Sequence, residues 1–183
     1  TASTSASATI NTRPDGIQLY VRIGDTLVWA VIDDPAYADL GHTTLVDDSL
    51  KCLQDLARLH RSKLKIPVIS LTGSNGKTTS KELVNAVLSK KFRTVATKGN
   101  LNNHIGVPLT ILSIQEDTEI AIIEMGANHL NEIKSYCNYT LPTHGLINNC
   151  GKAHLEGFGS EEGVKKGKGE LFDFLKIFFL ITA

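Results

Sequence analysis

Leu71-Thr72-Gly73-Ser74-Asn75-Gly76-Lys77-Thr78-Thr79 follows the apolar run Ile66-Pro67-Val68-Ile69-Ser70 and precedes a helical pattern that opens near Ser80. A strand that ends in a glycine turn and opens a helix aims several backbone N–H groups and the positive helix end at one point, so an anion belongs there. Gly73, Ser74, Asn75, Gly76, Lys77, Thr78 and Thr79 therefore read as a phosphate-binding loop. Lys77 would reach the terminal phosphates as a mobile point charge, and the Thr78 hydroxyl would sit on a Mg²⁺ that bridges them. The longer form of this loop wants glycine where Leu71 stands, so only the short form Gly-x-x-Gly-Lys-Thr is matched.

Outward from the loop, apolar strands alternate with helices. Strands are expected over Ile66–Leu71, Thr94–Ala96, Ile120–Ile123 and Gly145–Ile147. Helices are expected over Ser80–Lys90, Leu130–Cys137 and Glu161–Leu175, the last largely charged and interrupted by Gly163, Gly167 and Gly169. Buried strands alternating with helices predict an α/β fold with a mostly parallel, doubly wound sheet, its ligand beyond the carboxyl ends of the strands. The N-terminal part reads as a smaller, incomplete α/β unit. Ile17, Leu19, Val21 and Ile23 alternate with polar residues, Leu27 to Ile32 forms a second apolar run, and Gly24-Asp25 between them is a hairpin signal. A short strand is expected at Thr43–Val46, then a helix capped by Ser49 that carries Leu50, Leu53, Leu56, Ala57, His60 and Leu64 on one face. Thr1 to Thr9 are almost entirely Ala, Ser and Thr and are expected to be disordered. The domain division falls near residue 64, because Pro67 biases Ile66 toward an extended conformation: residues 1–64 form the first part and 65–183 the nucleotide-binding part.

Composition narrows the partners. Lys plus Arg equals Asp plus Glu at 19 each, so no global field draws nucleic acid or an anionic membrane, and any anion site must be local. The three cysteines, Cys52, Cys137 and Cys150, have no Cys-x-x-Cys spacing and suggest neither a disulfide framework nor a zinc site. A reducing cytoplasm fits. The N-terminus shows no signal-peptide pattern, and the apolar run Ile177 to Ile181 is far too short to span a bilayer.

Glu124 ends the buried run Ile120-Ala121-Ile122-Ile123, where a carboxylate can face a nucleotide and hold Mg²⁺ directly or through water; a solvated strand-end acid is the plain alternative. His154, in a loop after the strand through Ile147, lies at the same predicted sheet edge and is either a surface histidine or a metal or acid/base group. Asn100, Asn102, Asn103 and His104 crowd a glycine-containing loop; amides there could orient a polar substrate or simply form a turn. Lys165, Lys166 and Lys168 read as a solvated basic face, unless one has a depressed pKa and takes up CO₂ to become an oxygen ligand. His42, His60, His129 and His144 are assigned to packing or surface, and Glu156, Glu161 and Glu170 to solvent or supporting roles.

Four ordered stretches now carry a resemblance: Thr72 to Thr79, Gly99 to Thr110, Glu124-Met125-Gly126-Ala127, and Ala153 to Ser160. Together they resemble the Mur ligases, and most of all the branch that joins D-alanyl-D-alanine to UDP-N-acetylmuramoyl-tripeptide in peptidoglycan precursor synthesis. The resemblance implies an ATP-dependent amide ligase working through an acyl phosphate, with catalysis mostly positioning plus neutralisation of charge by Mg²⁺ and lysine. Carried over by position, Lys77 grips the β and γ phosphates, Thr78 and Glu124 hold one Mg²⁺, and His154 helps hold a second. Lys168 matches the family's carbamoylated lysine, and Asn102 and Asn103 match the part that orients the muramoyl substrate or the acyl phosphate. Other Mur ligases and folylpolyglutamate-type ligases would run the same phosphate chemistry with another amine. The resemblance further implies a fragment. The family's pattern stops after Phe172, the dipeptide-binding C-terminal domain is missing, and Asn11 to Gly16 faintly echo the uridine-binding domain. A nucleotide-binding piece without ligase activity is the competing expectation.

Overall fold

The computed structural model describes residues 6–13, 16–23, 26–38, 41–152 and 154–179. The chain divides into two compact units, one through Asp55 and the other from Leu56, so the division falls inside a helix.

The first unit is built on a four-stranded sheet of β1 (Ala6–Arg13), β2 (Gly16–Ile23), β3 (Thr26–Ile32) and β4 (Thr43–Leu45) in that order. The first two pairings are antiparallel and the last is parallel. Ala6 to Thr9, expected to be disordered, instead pair with Val21 to Ile23 and Tyr20 in β2. A ladder of backbone hydrogen bonds does not need large side chains, and composition alone cannot foresee it. Thr1 to Ser5 lie outside the described residues, as do Gly24 and Asp25, on which the hairpin signal falls. The helix α1 (Ser49–Lys63) is capped by Asp48, whose carboxylate accepts from the Lys51 N–H at 2.8 Å. Ser49, the expected cap, sits one residue inside, where its N–H and hydroxyl both donate to Asp33 at 3.1 and 2.7 Å.

The second unit carries the parallel sheet the sequence predicts. Its strands, β5 (Val68–Thr72), β6 (Thr94–Ala96), β7 (Ile120–Glu124) and β8 (His144–Ile147), lie in the order β6-β7-β5-β8, all parallel. All five residues of β7 are buried, as interior strands of parallel sheets require. Alternation sends Ala121 and Ile123 into a core shared with Val107, Ile111, Ile133, Tyr136, Val164 and Leu171. Those residues come from α3 (Gly106–Leu112), α4 (Glu132–Thr140) and α6 (Glu161–Phe179). Ile122 and Glu124 therefore turn to the opposite face, where α2 (Lys77–Leu88) packs on β5, β6 and β7. Helices thus cover both faces, the doubly wound arrangement.

Differences from the sequence reading are local. Helix α2 begins at Lys77, three residues before Ser80, because Gly76 takes the left-handed conformation at φ +73°, which glycine adopts without steric cost. The sequence reading assigns no element to α3, which follows the asparagine-rich loop. It forms because the Asn103 side chain accepts from the Ile105 and Gly106 N–H groups, and Pro108 falls in the first turn, where its missing N–H costs nothing. The one-turn helix α5 (Leu155–Phe158) was read as loop. It explains two of the glycines of α6: a Cβ on Gly163 would lie 2.0 Å from the Phe158 carbonyl oxygen, and one on Gly167 would lie 2.4 Å from the Phe158 ring. What reads as interruption is close packing.

Candidate functional site

The phosphate loop joins β5 to α2 and is braced by the segment after β8. Asn149 holds Asn75 by both backbone groups: its Oδ1 accepts from the Asn75 N–H and its Nδ2 donates to the Asn75 carbonyl, each at 3.1 Å. The Ser74 N–H donates to the Asn149 carbonyl, the Ser74 hydroxyl to the Gly151 carbonyl at 3.0 Å, and Asn148 Nδ2 to the Ser80 hydroxyl at 2.7 Å. The approach is close enough that a Cβ on Gly73 would sit 2.9 Å from that of Asn148. Lys77 folds back so that Nζ donates to the Gly73 carbonyl at 2.8 Å, a contact a phosphate oxygen can replace.

Glu124 is fully buried. Its Oε1 accepts from Asn102 Nδ2 at 2.7 Å and, more weakly, from the Thr78 hydroxyl at 3.3 Å. Its Oε2 is buried with no hydrogen-bond partner among the described residues. A buried carboxylate oxygen left bare is costly, and a hydroxyl beside it makes an all-oxygen donor set of the kind a hard divalent cation takes. The residues therefore fit Mg²⁺. The solvated strand-end alternative for Glu124 does not survive its burial.

Lys168, read with its neighbours as a solvated face, is 1% exposed; Lys165 and Lys166 are exposed. Nζ donates to the Ala127 carbonyl at 2.9 Å and stands 5.1 Å from the Phe158 ring centroid. Burial, and then the charge of Lys77, bring its pKa down to about 8 against the pull of Cys150, Glu132 and Glu170. The lysine of the phosphate loop is thus felt at Lys168.

His154 is exposed, with its backbone in the left-handed region at φ +55°, an uncommon conformation for a residue with a Cβ. Its carbonyl accepts from Gly157 and Phe158 and starts α5. Among the described residues no hydrogen bond or ion pair joins its ring to Thr78, Glu124 or Lys168, and no cluster of three or more His, Cys, Asp or Glu could hold a metal. Thr78, Glu124 and Asn102 are thus joined by hydrogen bonds, while among the described residues none joins His154 or Lys168 to them. Asn103 uses its side-chain oxygen to cap α3. A groove of about 440 Å³ between α4 and α6, lined by Lys134, Asn138, Lys166, Glu170 and Phe174 among others, contains none of these residues.

The Mur ligase middle domain matches residues 71–182. The chain belongs to the Mur ligase family. The match runs past Phe172, where the sequence reading has the family's pattern stop. The UDP-N-acetylmuramoyl-tripeptide–D-alanyl-D-alanine ligase of Bacillus subtilis (strain 168) is 46% identical over 132 residues, 72% of this chain and 29% of that protein. The ligase of the same name from Escherichia coli (strain K12) is 47% identical over 131 residues, with the same coverages. Among solved structures, MurF from Acinetobacter baumannii superposes with a TM-score of 0.75 at 36% identity, over 79% of this chain and 32% of that one. MurF ligase from Thermotoga maritima, in complex with ADP, gives 0.73 at 33% identity, over 80% and 34%. This Mur ligase chain therefore spans about three-tenths of the length of its curated relatives.

Sequence reasoning missed Asn148 and Asn149, although two asparagines directly after a buried strand at the same sheet edge were a usable signal. It also missed Thr97, whose hydroxyl accepts from the Glu124 N–H at 2.9 Å; nothing in Ala96-Thr97-Lys98 distinguishes it.

Proposed function

We propose that this chain is the ATP-binding segment of a ligase that joins D-alanyl-D-alanine to UDP-N-acetylmuramoyl-tripeptide in peptidoglycan precursor synthesis. Its relatives bear that name, one solved neighbour holds ADP, and the observation that carries the reading is Glu124, with one oxygen paired beside the phosphate loop and the other buried and bare. The backbone of Gly73 to Thr79 cradles the phosphates, and Lys77 leaves the Gly73 carbonyl to neutralise the β and γ phosphates. Thr78 and Glu124 hold Mg²⁺, which when bound spreads the phosphate charge and lowers the cost of transferring the γ-phosphoryl group. Asn102 keeps Glu124 pointed at the loop, and with Asn103 it orients the tripeptide's terminal carboxylate, which becomes the acyl phosphate. The dipeptide amine then attacks that carbonyl and phosphate leaves.

His154 and Lys168 belong to a second metal position in this reading. An ammonium cannot bind a cation, but a lysine with its pKa lowered to about 8 presents a minor, reactive share of neutral amine near neutral pH. That amine adds to CO₂ with loss of a proton and becomes a carbamate, an anionic oxygen ligand. Two domains follow the sequence division, residues 1–64 as the remnant of a UDP-substrate domain and 65–183 as the partial ATP-binding domain. No described helix is long and apolar enough to cross a membrane, and the proposed dependence on ATP fits a cytoplasmic location.

The three-tenths coverage favours a second reading for the chain as it stands, nucleotide binding without ligation. Phosphate release from Mg·ATP, with each substrate alone and with both, separates the two. Release that requires both supports ligation; binding without release supports the second reading; release indifferent to the dipeptide contradicts the first.

A further inference from the structure

Lys81 lies on α2 four residues after Lys77 and three after Thr78, on the same helical face. It is fully buried. Nζ donates to the Thr97 carbonyl at 2.7 Å and the Gly99 carbonyl at 3.4 Å, and pairs with Glu82 Oε1 at 2.7 Å. A buried cation is retained at a cost that an apolar side chain of the same volume would avoid, so what it holds matters more than the space it fills. What it holds is the segment that frames Glu124. Behind Glu124, the Thr97 hydroxyl accepts from its N–H at 2.9 Å, while the Thr97 N–H donates to the Ile122 carbonyl at 3.0 Å. In front, three residues past Gly99, Asn102 Nδ2 donates to Glu124 Oε1 at 2.7 Å and the Asn102 carbonyl accepts from the Gly126 N–H at 2.7 Å. The fit is tight: a Cβ on Gly126 would lie 2.8 Å from Asn102 Oδ1.

We propose that Lys81 is a positioning residue that couples the helix opened by the phosphate loop to the Thr97–Asn102 segment, so that the bare oxygen of Glu124 is set beside the Thr78 hydroxyl. Lys81 touches neither nucleotide nor metal; it acts through Thr97 and Asn102. The functional half of this inference rests on the reading that the phosphate loop and Glu124 share a magnesium nucleotide.

Two measurements on the full chain test it. The first is amide hydrogen exchange in the absence of nucleotide. In Lys81→Met the Glu124 and Gly126 amides, whose acceptors are the Thr97 hydroxyl and the Asn102 carbonyl, exchange at least ten-fold faster, while the Leu141 amide at the end of α4 keeps its rate. The second is calorimetric ATP affinity with and without Mg²⁺. Lys81→Met keeps the magnesium-free affinity within two-fold and loses at least ten-fold of the gain that Mg²⁺ confers; Lys81→Arg, which keeps the donors, recovers part of it. A folded Lys81→Met with parental exchange at both amides and parental Mg²⁺ dependence overturns the proposal. Should Lys81→Met not fold, Thr97→Val removes only the hydroxyl. It is expected to speed exchange at Glu124 and reduce the Mg²⁺ gain, and parental values for both overturn the proposal. If the parent gains nothing from Mg²⁺, the magnesium reading fails, and the exchange rates alone decide whether Lys81 is the clamp.

Discussion

Lys168 and Glu124 are ionisable side chains buried in the second unit, and each makes a separate prediction. The folded pKa of Lys168, about 8, lies below its ordinary value of 10.5. The unfolded chain therefore binds the proton more tightly between those values, and stability rises with pH across that window. Below pH 8 the lysine is charged in both states and the burial penalty is felt in full. Lys168→Met should therefore be more stable than the parent at pH 7, by roughly 1–3 kcal/mol after relaxation, with the advantage shrinking from pH 8 toward 10.5. Urea unfolding of both chains at pH 7 and pH 9.5 checks this, and an advantage independent of pH would contradict it. For Glu124, replacement by Gln keeps the shape and the contact with Asn102 but removes the charge. Glu124→Gln should bind ATP without Mg²⁺ nearly as the parent does and lose most of the Mg²⁺ enhancement, read by titration calorimetry at two magnesium concentrations.

At the scale of elements, packing reverses what propensity suggests. Glycine in a helix interior costs about 1 kcal/mol relative to alanine, so Gly163→Ala or Gly167→Ala in α6 would stabilise an isolated helix. Here the added methyl meets the Phe158 carbonyl or ring, and each variant should instead lose roughly 1–3 kcal/mol, measured as a lowered unfolding midpoint. The brace under the phosphate loop is a second case. Asn149→Ala leaves both backbone groups of Asn75 without their partner and should cost about 1–2 kcal/mol of stability, with a weakened affinity for ATP.

These elements also show what the sequence could and could not disclose. Strands β5 and β7 were legible because an interior parallel strand is an unbroken apolar run. The phosphate loop was legible because its glycines, lysine and threonine serve backbone geometry and charge within seven residues. Lys168 was visible only through the family resemblance: with Lys165 and Lys166 beside it, periodicity cannot tell a lysine sealed under Ala127 and Phe158 from two that face water. Lys81 was not visible at all, since its partner lies 16 residues away, and Asn149 showed only its place after a buried strand, because one sequence carries no signal of its pairing with a residue 74 positions away. In the first unit, Ala6 to Thr9 misled because a small-residue strand owes its order to its neighbour.

At the scale of the whole molecule, net charge is zero and the proposed anion site lies at one sheet edge. The carboxyl ends of β5, β7 and β8 lead into the phosphate loop, the Glu124 carboxylate and the Asn148–Asn149 brace, all within the second unit. In the proposed reading that unit carries the groups that hold the nucleotide, even though the chain spans three-tenths of its relatives' length. The central claim, a working Mg·ATP site on this chain, is tested most directly by thermal unfolding with and without Mg·ATP in the parent and in Lys77→Ala. At about a hundred times its dissociation constant the ligand should stabilise the parent by ~2.7 kcal/mol, a rise of several degrees for a chain of this size, and leave Lys77→Ala unshifted at the same concentration. No shift in the parent, or equal shifts in both, would contradict it.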